Sequence, residues 1–245
     1  MTGKIRVGRS LYQGGKIIYP KYEGYTQIIV MTKDSSEYGE LGPYDLTNEN
    51  GQILENVWQF SKCYPMVPNV SIPFSSKYKH IVWTWPCENH LVNNQPNDNY
   101  WKWRNAGKNN KYPVRNPVGW SHMKTCAFSL EKDEPISESN PRLDYIESRK
   151  RIYLPIYYQA VIQSPRFHEL KNRLLNGENL LIIEIDGPHQ ESLDYYKQKW
   201  NVNDDFIENN SVQVTEQNLA ILLNDPKHPF GHGYCLGWAL YKESE

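Results

Sequence analysis

The stretch Leu54-Glu55-Asn56-Val57-Trp58-Gln59-Phe60-Ser61-Lys62 says most about how this chain folds. Its spacing predicts a helix whose core-facing row, at i, i+3, i+4 and i+7, is Leu54, Val57, Trp58 and Ser61. A second row, at i, i+4 and i+7, carries a carboxylate, an amide and an ammonium: Glu55, Gln59 and Lys62. Such a row predicts one wall of a polar pocket. The same spacing is also typical of a surface helix with an ordinary polar pair.

Composition narrows the class of protein. The chain has 245 residues and a formal net charge of -1, which is unlike a dedicated nucleic-acid coat protein. Its mean hydropathy of -0.73 and the lack of a signal peptide or long apolar run predict a soluble, cytoplasmic protein with no membrane partner. The four cysteines form no CxxC pair, as expected in a reducing compartment. Abundant Asn, Lys and Tyr suggest a phage or viral source, so that the cytoplasm would be that of a host cell.

The order of predicted elements favours one mixed α+β domain over residues 1–245. Apolar runs predict strands at 27–32, 80–85 and 180–185. Apolar spacing predicts helices at 54–62, 145–164, 165–174, 215–225 and around 236–240, with a break allowed at Pro155 and with Ser164 and Thr215 as capping residues. Residues 1–24 resemble an irregular lead-in or a small hairpin. Residues 63–141 are predicted to be an irregular, aromatic-rich insertion, and residues 189–213 a surface insertion.

Residues 100–124 alternate basic and aromatic side chains and contain no acid. Cations beside stacking rings are typical of surfaces that hold single strands or nucleotides. The predicted nucleic-acid contacts are Trp101, Lys102, Trp103, Arg104 and Arg115. The alternative is a charged loop whose tryptophans are buried.

Motifs for other chemistries are missing from the sequence. It has no GxGxxG, no P-loop and no GxSxG, and its Cys and His residues lack convincing metal-ligand spacing, so we expect neither a metal nor a cofactor. Four carboxylates stand at helix or strand ends: Glu55, Glu184, Asp186 and Asp225. Carboxylates can activate water and stabilise a sugar cation, which makes cleavage of a glycosidic bond plausible.

The order of segments resembles the NADAR superfamily, which includes the YbiA-like N-glycosidases. The residues that carry the resemblance are Tyr38-Gly39-Glu40-Leu41-Gly42-Pro43-Tyr44, then Glu55, Trp58, Gln59 and Lys62, then Asp144-Tyr145, Leu180–Glu184, Asp225, Phe230-Gly231-His232-Gly233 and Leu236-Gly237-Trp238-Ala239-Leu240. The chain departs from the family pattern in having Asn56 in place of a His, and Tyr145 and Phe230 in place of tryptophans.

The resemblance implies hydrolysis of an N-glycosidic bond in a ribosylated base, or in an ADP-ribosylated nucleotide or nucleic acid. It implies catalytic roles for Glu55 and Asp225. It implies substrate binding by Tyr44, Gln59, Lys62, Asp144, Tyr145, Gly231 and Gly233, with Tyr145 stacking on the base. A binding module that holds ADP-ribose or a modified base without cleaving it, and a structural interaction protein, are the alternatives. The sequence leaves the oligomeric state open.

Overall fold

The computed structural model describes residues 2–31, 35, 37–73 and 80–245. The chain groups into two compact units: Met1–Gly42 with Tyr157–Glu245, here the flanking unit, and Pro43–Ile156, here the central unit. Both contain helices and strands, so the α+β class is confirmed. That the whole chain acts as one domain stays a prediction, and each unit is described by itself.

The described chain has the following regular elements. The strands are β1 (Ile5–Arg9), β2 (Leu11–Gln13), β3 (Lys16–Ile18), β4 (Thr26–Ile29), β5 (Lys62–Cys63), β6 (Met66–Val67), β7 (Val70–Pro73), β8 (Val82–Trp85), β9 (Glu88–Asn89), β10 (Leu91–Val92), β11 (Gln95–Pro96), β12 (Phe128–Ser129), β13 (Leu180–Glu184) and β14 (Ser211–Gln213). The helices are α1 (Leu54–Phe60), α2 (Asp98–Lys108), α3 (Tyr145–Ser148), α4 (Leu154–Val161), α5 (Pro165–Leu175), α6 (Leu193–Trp200), α7 (Glu216–Leu223) and α8 (His232–Ser244).

The flanking unit is built on a mixed sheet with the strand order β14-β1-β13-β4. β13 runs parallel to β1 and β4, and β14 pairs antiparallel with β1. All five residues of β13 are buried, as expected for a central parallel strand covered on both faces. Gly237 of α8 lets that helix approach the sheet, since a Cβ there would lie 3.1 Å from Val7 Cγ2.

Two segments of this unit are more regular than predicted. Residues 1–24 do contain a hairpin, β2–β3, but they also supply β1, which the sequence concealed because the buried Arg6 and Gly8 interrupt its apolar pattern. Arg6 Nε donates to Ser211 Oγ at 2.8 Å. The segment predicted to be a surface insertion, 189–213, provides α6 and edge strand β14, and Tyr196 is fully buried. That the segment is an insertion stays a prediction.

The central unit has an aromatic core around α1 and α2. The rings of Phe60 and Trp103 lie 4.5 Å apart, and Gly107 gives Phe60 room, since a Cβ there would lie 2.1 Å from its ring. The predicted insertion boundary at residue 63 is therefore not a structural boundary. Helix α2 was not predicted, although Asn97 caps it by accepting from the backbone N–H of Asn99 at 3.0 Å.

The predicted helix at 145–164 is interrupted, as Pro155 led us to expect, but the interruption precedes the proline. Residues Arg149–Tyr153 form a π-helical turn in which the Leu154 N–H donates to Arg149 O. Pro155 has no N–H to continue the regular ladder, and a π turn absorbs the change. The predicted caps of α5 and α7 are confirmed, with Ser164 and Thr215 accepting from backbone N–H groups. Helix α8 has 13 residues and is longer than predicted.

Candidate functional site

Polar side chains form a relay along α1 in the central unit. Gln59 Nε2 donates to Glu55 Oε1 at 2.9 Å, and Lys62 Nζ donates to Gln59 Oε1 at 2.8 Å. Glu55 and Gln59 are each only 6% exposed. Lys62 lies just beyond the helix, in β5, and is partly buried. The carboxylate, amide and ammonium predicted to share one row are thus linked through Gln59.

The chain before α1 fixes the position of Glu55. The Leu54 N–H donates to Leu46 O at 3.0 Å, and the Glu55 N–H donates to Pro43 O at 2.9 Å. N–H groups in the first turn of a helix have no partner within it, so these two bonds do the work of a cap. Tyr44 lies in the same segment and is partly buried. Its predicted contact with substrate stays a prediction.

Aromatic rings lie beside the Lys62 end of this relay. The Trp58 ring lies 5.1 Å from the Tyr153 ring and 6.4 Å from the Tyr145 ring. Lys62 Nζ lies 4.6 Å from the centroid of the Trp58 ring. Tyr145 is 47% exposed, and the Arg149 guanidinium lies 5.0 Å from its ring. An exposed ring held by buried neighbours can stack on a flat ligand.

Burial lowers the pKa of Lys62, while the charge of the Glu55 carboxylate acts to raise it. A lysine whose charged form is disfavoured by burial gains stability from any anion that reaches it. The relay therefore suits a phosphate or another anionic oxygen at Lys62, with the Glu55 carboxylate at its other end.

Asn56 has a structural role in this chain. Its Nδ2 donates to Asn110 O at 3.2 Å and to Tyr112 O at 3.0 Å, and its Oδ1 accepts from the Val114 N–H at 2.8 Å. These bonds fasten the 110–114 segment to α1. Asp144 also has a structural use, since its Oδ1 accepts from the Glu147 N–H at 2.7 Å and caps α3.

The catalytic role predicted for Asp225 stays a prediction, and the structure shows how its carboxylate is held. Asp225 lies in the flanking unit and is fully buried. Its carboxylate accepts from the hydroxyls of Tyr195 and Tyr196, from the His228 ring and from backbone N–H groups. Burial alone would raise the pKa of Asp225, but these hydrogen bonds lower it below the ordinary value. A carboxylate held in this way organises its own turn.

Gly231 and Gly233 allow a close approach, but to a carboxylate of their own unit. The Gly233 N–H donates to Glu184 Oε2 at 2.5 Å, and His232 Nδ1 lies 3.3 Å from the same oxygen. A Cβ at Gly231 would lie 2.6 Å from Glu184 Oε2. These glycines thus have a structural role, in which the buried Glu184 caps α8, and their predicted contact with substrate stays a prediction.

The predicted nucleic-acid contacts divide between core and surface. Trp103 is fully buried, and Arg104 is 2% exposed. Arg104 donates to Phe60 O at 3.1 Å and to Asp133 Oδ1 at 2.5 Å. The predicted nucleic-acid contact through Trp103 and Arg104 is therefore wrong, because both side chains are buried in the aromatic core. Lys102 and Arg115 are exposed and Trp101 is partly buried, and their predicted contact remains untested.

Sequence reasoning missed a polar cluster of the flanking unit. In this cluster the His228 ring contacts Asp225 and Ser192. The i, i+3 spacing of Asp225 and His228 was the available signal. Within the described ranges, no group of three or more His, Cys, Asp or Glu side chains could hold a metal ion.

Comparisons with known proteins identify no relative. No protein-family model, curated protein or solved structure matches the chain. Of the helices formed by the part of the chain that the structure describes, none is long and apolar enough to cross a membrane. Function must therefore be argued from the geometry of the sites.

Proposed function

We propose that the chain is a NADAR-like N-glycosidase that hydrolyses the bond between ribose and a base. Its substrate would be a ribosylated base or an ADP-ribosylated nucleotide or nucleic acid. The observation that carries the proposal is the buried Glu55 carboxylate, joined through Gln59 to Lys62 beside the Trp58 ring. The resemblance in sequence order supports the same reaction. A reducing, cytoplasmic setting is proposed with it, because the four cysteines are free.

The reaction divides among these side chains by their chemistry. Water adds to C1′ of the ribose, the C1′–N bond breaks with its electron pair going to the base nitrogen, and that nitrogen takes up a proton. Glu55 stabilises the positive charge that develops on the sugar or accepts the proton of the attacking water. Lys62 holds an anionic oxygen of the substrate, and Gln59 fixes the distance between the two charges. The exposed ring of Tyr145 stacks on the base.

The binding module is the second candidate, and one observation favours it. The Tyr145 ring is exposed on one face and lies beside the fixed Trp58 ring. This arrangement is sufficient to hold a base without cleaving its bond to ribose. Tight binding of ADP-ribose with no product after hours of incubation would select this candidate.

The decisive test is Glu55→Gln, assayed on N-ribosides and ADP-ribosylated nucleic acid by mass spectrometry of the released sugar phosphate. The substitution keeps the shape of the side chain and its bond to Gln59, and it removes the charge. We expect turnover to fall at least about a hundredfold, the scale of general acid–base catalysis. Glu131→Gln is the matched control, because Glu131 pairs with Arg151 at 2.7 Å on the surface of the same unit. Near-normal turnover by Glu55→Gln would end the assignment.

A further inference from the structure

The polar cluster of the flanking unit has the arrangement used for acyl transfer. Ser192 Oγ lies 3.1 Å from His228 Nε2, and His228 Nδ1 lies 2.6 Å from Asp225 Oδ2. A hydroxyl, an imidazole and a carboxylate thus stand in series, each within hydrogen-bond reach of the next. We propose that Ser192, His228 and Asp225 form a second active site, which hydrolyses carboxylic esters.

The surroundings of His228 fix both its orientation and its tautomer. The Tyr196 ring stacks on the imidazole, with centroids 5.5 Å apart and planes 22° apart. Asp225 is held by the Tyr195 hydroxyl at 2.7 Å and by the Lys227 N–H at 2.9 Å. With the carboxylate so placed, Nδ1 carries the proton that bonds it, and Nε2 faces Ser192 as the base. Tyr195 and Tyr196 are positioning residues.

Ser192 immediately precedes α6, where a serine normally accepts a hydrogen bond from the first turn of the helix. Its side chain makes no such capping bond and turns to His228 instead. Ser192 is partly exposed, and the His228 side chain is 11% exposed, so a substrate can reach both. Ser192 stands at the N-terminus of α6, where the helix dipole places partial positive charge beside the serine.

The reaction balances with these groups and water alone. Ser192 Oγ bonds to the ester carbonyl carbon while its proton passes to His228 Nε2. The bond from that carbon to the alcohol oxygen breaks, and the alcohol leaves with the proton from His228. Water, deprotonated by the same nitrogen, then attacks the acyl carbon, the bond from that carbon to Ser192 Oγ breaks, and this oxygen takes the proton back from His228. The products are one acid and one alcohol, and the serine is restored.

A fluorophosphonate probe tests the proposal directly, because it reacts with an activated serine. The Ser192 oxygen bonds to phosphorus, fluoride leaves and the serine proton passes to His228. We expect intact-mass analysis to show one added probe and peptide mapping to place it on Ser192. Ser121, whose Oγ lies 3.0 Å from His122 Nδ1, is an internal control for a serine that merely contacts an imidazole.

Two variants complete the test. Ser192→Ala should take up no probe, and His228→Gln should be labelled at least about a hundredfold more slowly, the scale of general base catalysis. Glu55→Gln should be labelled at the normal rate, which separates this proposal from the glycosidase. An unlabelled Ser192 in wild-type protein that is folded by circular dichroism would overturn the proposal, as would equal labelling of His228→Gln. Because the first of these results needs no variant, the test does not depend on how the variants fold.

Discussion

Glu55 and Asp225 are both buried carboxylates that the sequence marked as catalytic, yet their surroundings differ. Glu55 accepts from the neutral amide of Gln59, which in turn accepts from Lys62. Asp225 accepts from two tyrosine hydroxyls, an imidazole and the backbone of its own turn. Burial alone therefore does not identify the group that meets a sugar. The two carboxylates differ in their donors. The donor to Glu55 links it to a cation, whereas the donors to Asp225 bond it fully within its own turn.

The largest difference should appear when each charge is replaced by an amide. Asp225→Asn puts an NH₂ group among donors, and we expect it to lower the free energy of unfolding by about 3 kcal/mol. Glu55→Gln retains an oxygen that accepts from Gln59, so it should change the free energy of unfolding by less than about 1 kcal/mol. Urea denaturation of both variants at neutral pH measures the two effects. Equal losses would mean that the two carboxylates play the same structural role.

The glycines near Glu184 give the next largest effect. A Cβ at Gly231 would lie 2.6 Å from the Glu184 carboxylate, whereas one at Gly233 would lie 3.0 Å away. The groups next to both glycines are buried and hydrogen-bonded, so an added methyl group must displace these groups. We expect Gly231→Ala to cost about 2 kcal/mol, within the range for overpacking, and Gly233→Ala to cost less. Thermal unfolding of the two variants checks the order, and a neutral Gly231→Ala would show that Glu184 can move aside.

Sequence reasoning found the elements whose pattern is local. The caps at Ser164 and Thr215 and the apolar run of β13 each need only a few adjacent residues. It missed β1 and α2, because distant partners satisfy their buried polar side chains. Arg6 bonds Ser211, and Arg104 bonds Asp133, so each is buried against the rule for its residue type.

The same limit applied to the candidate sites. The relay along α1 could be predicted, because helical spacing brings together its members Glu55, Gln59 and Lys62. The contact between Ser192 and His228 joins residues 36 apart in the chain, which no local spacing reveals. Their bond depends on how the turn after α7 meets the start of α6, and that is decided by packing.

A smaller effect is expected at the exposed ring of Tyr145. Loss of one base–aromatic stack weakens binding by about 1–3 kcal/mol, so Tyr145→Ala should weaken nucleotide binding about fivefold or more. Tyr145→Phe keeps the ring and should bind normally. Tyr12→Ala is the control, since Tyr12 is 77% exposed in the flanking unit and should alter nothing. Isothermal titration with ADP-ribose measures all three, and unchanged binding by Tyr145→Ala would remove the ring from the proposed site.

The smallest predicted effect is the pH dependence that Asp225 gives to stability. Its pKa is lowered in the folded state, because the donors around the carboxylate outweigh its burial. The unfolded chain therefore takes up this proton more readily, with an aspartate pKa of about 3.9. The stabilisation is complete above that pH and is lost as the pH falls through the lower, folded value.

Urea midpoints measured from about pH 6 down to about pH 3 should consequently fall more steeply for wild-type protein than for Asp225→Asn. Comparing the two chains isolates Asp225 from the other acids with lowered pKa values, such as Glu178, whose pKa is lowered to about 2 by its bonds to Arg173. Parallel curves would mean that Asp225 titrates alike in the folded and unfolded chains. The donors around it would then fix its position without favouring its charge, and the contrast with Glu55 would rest on geometry alone.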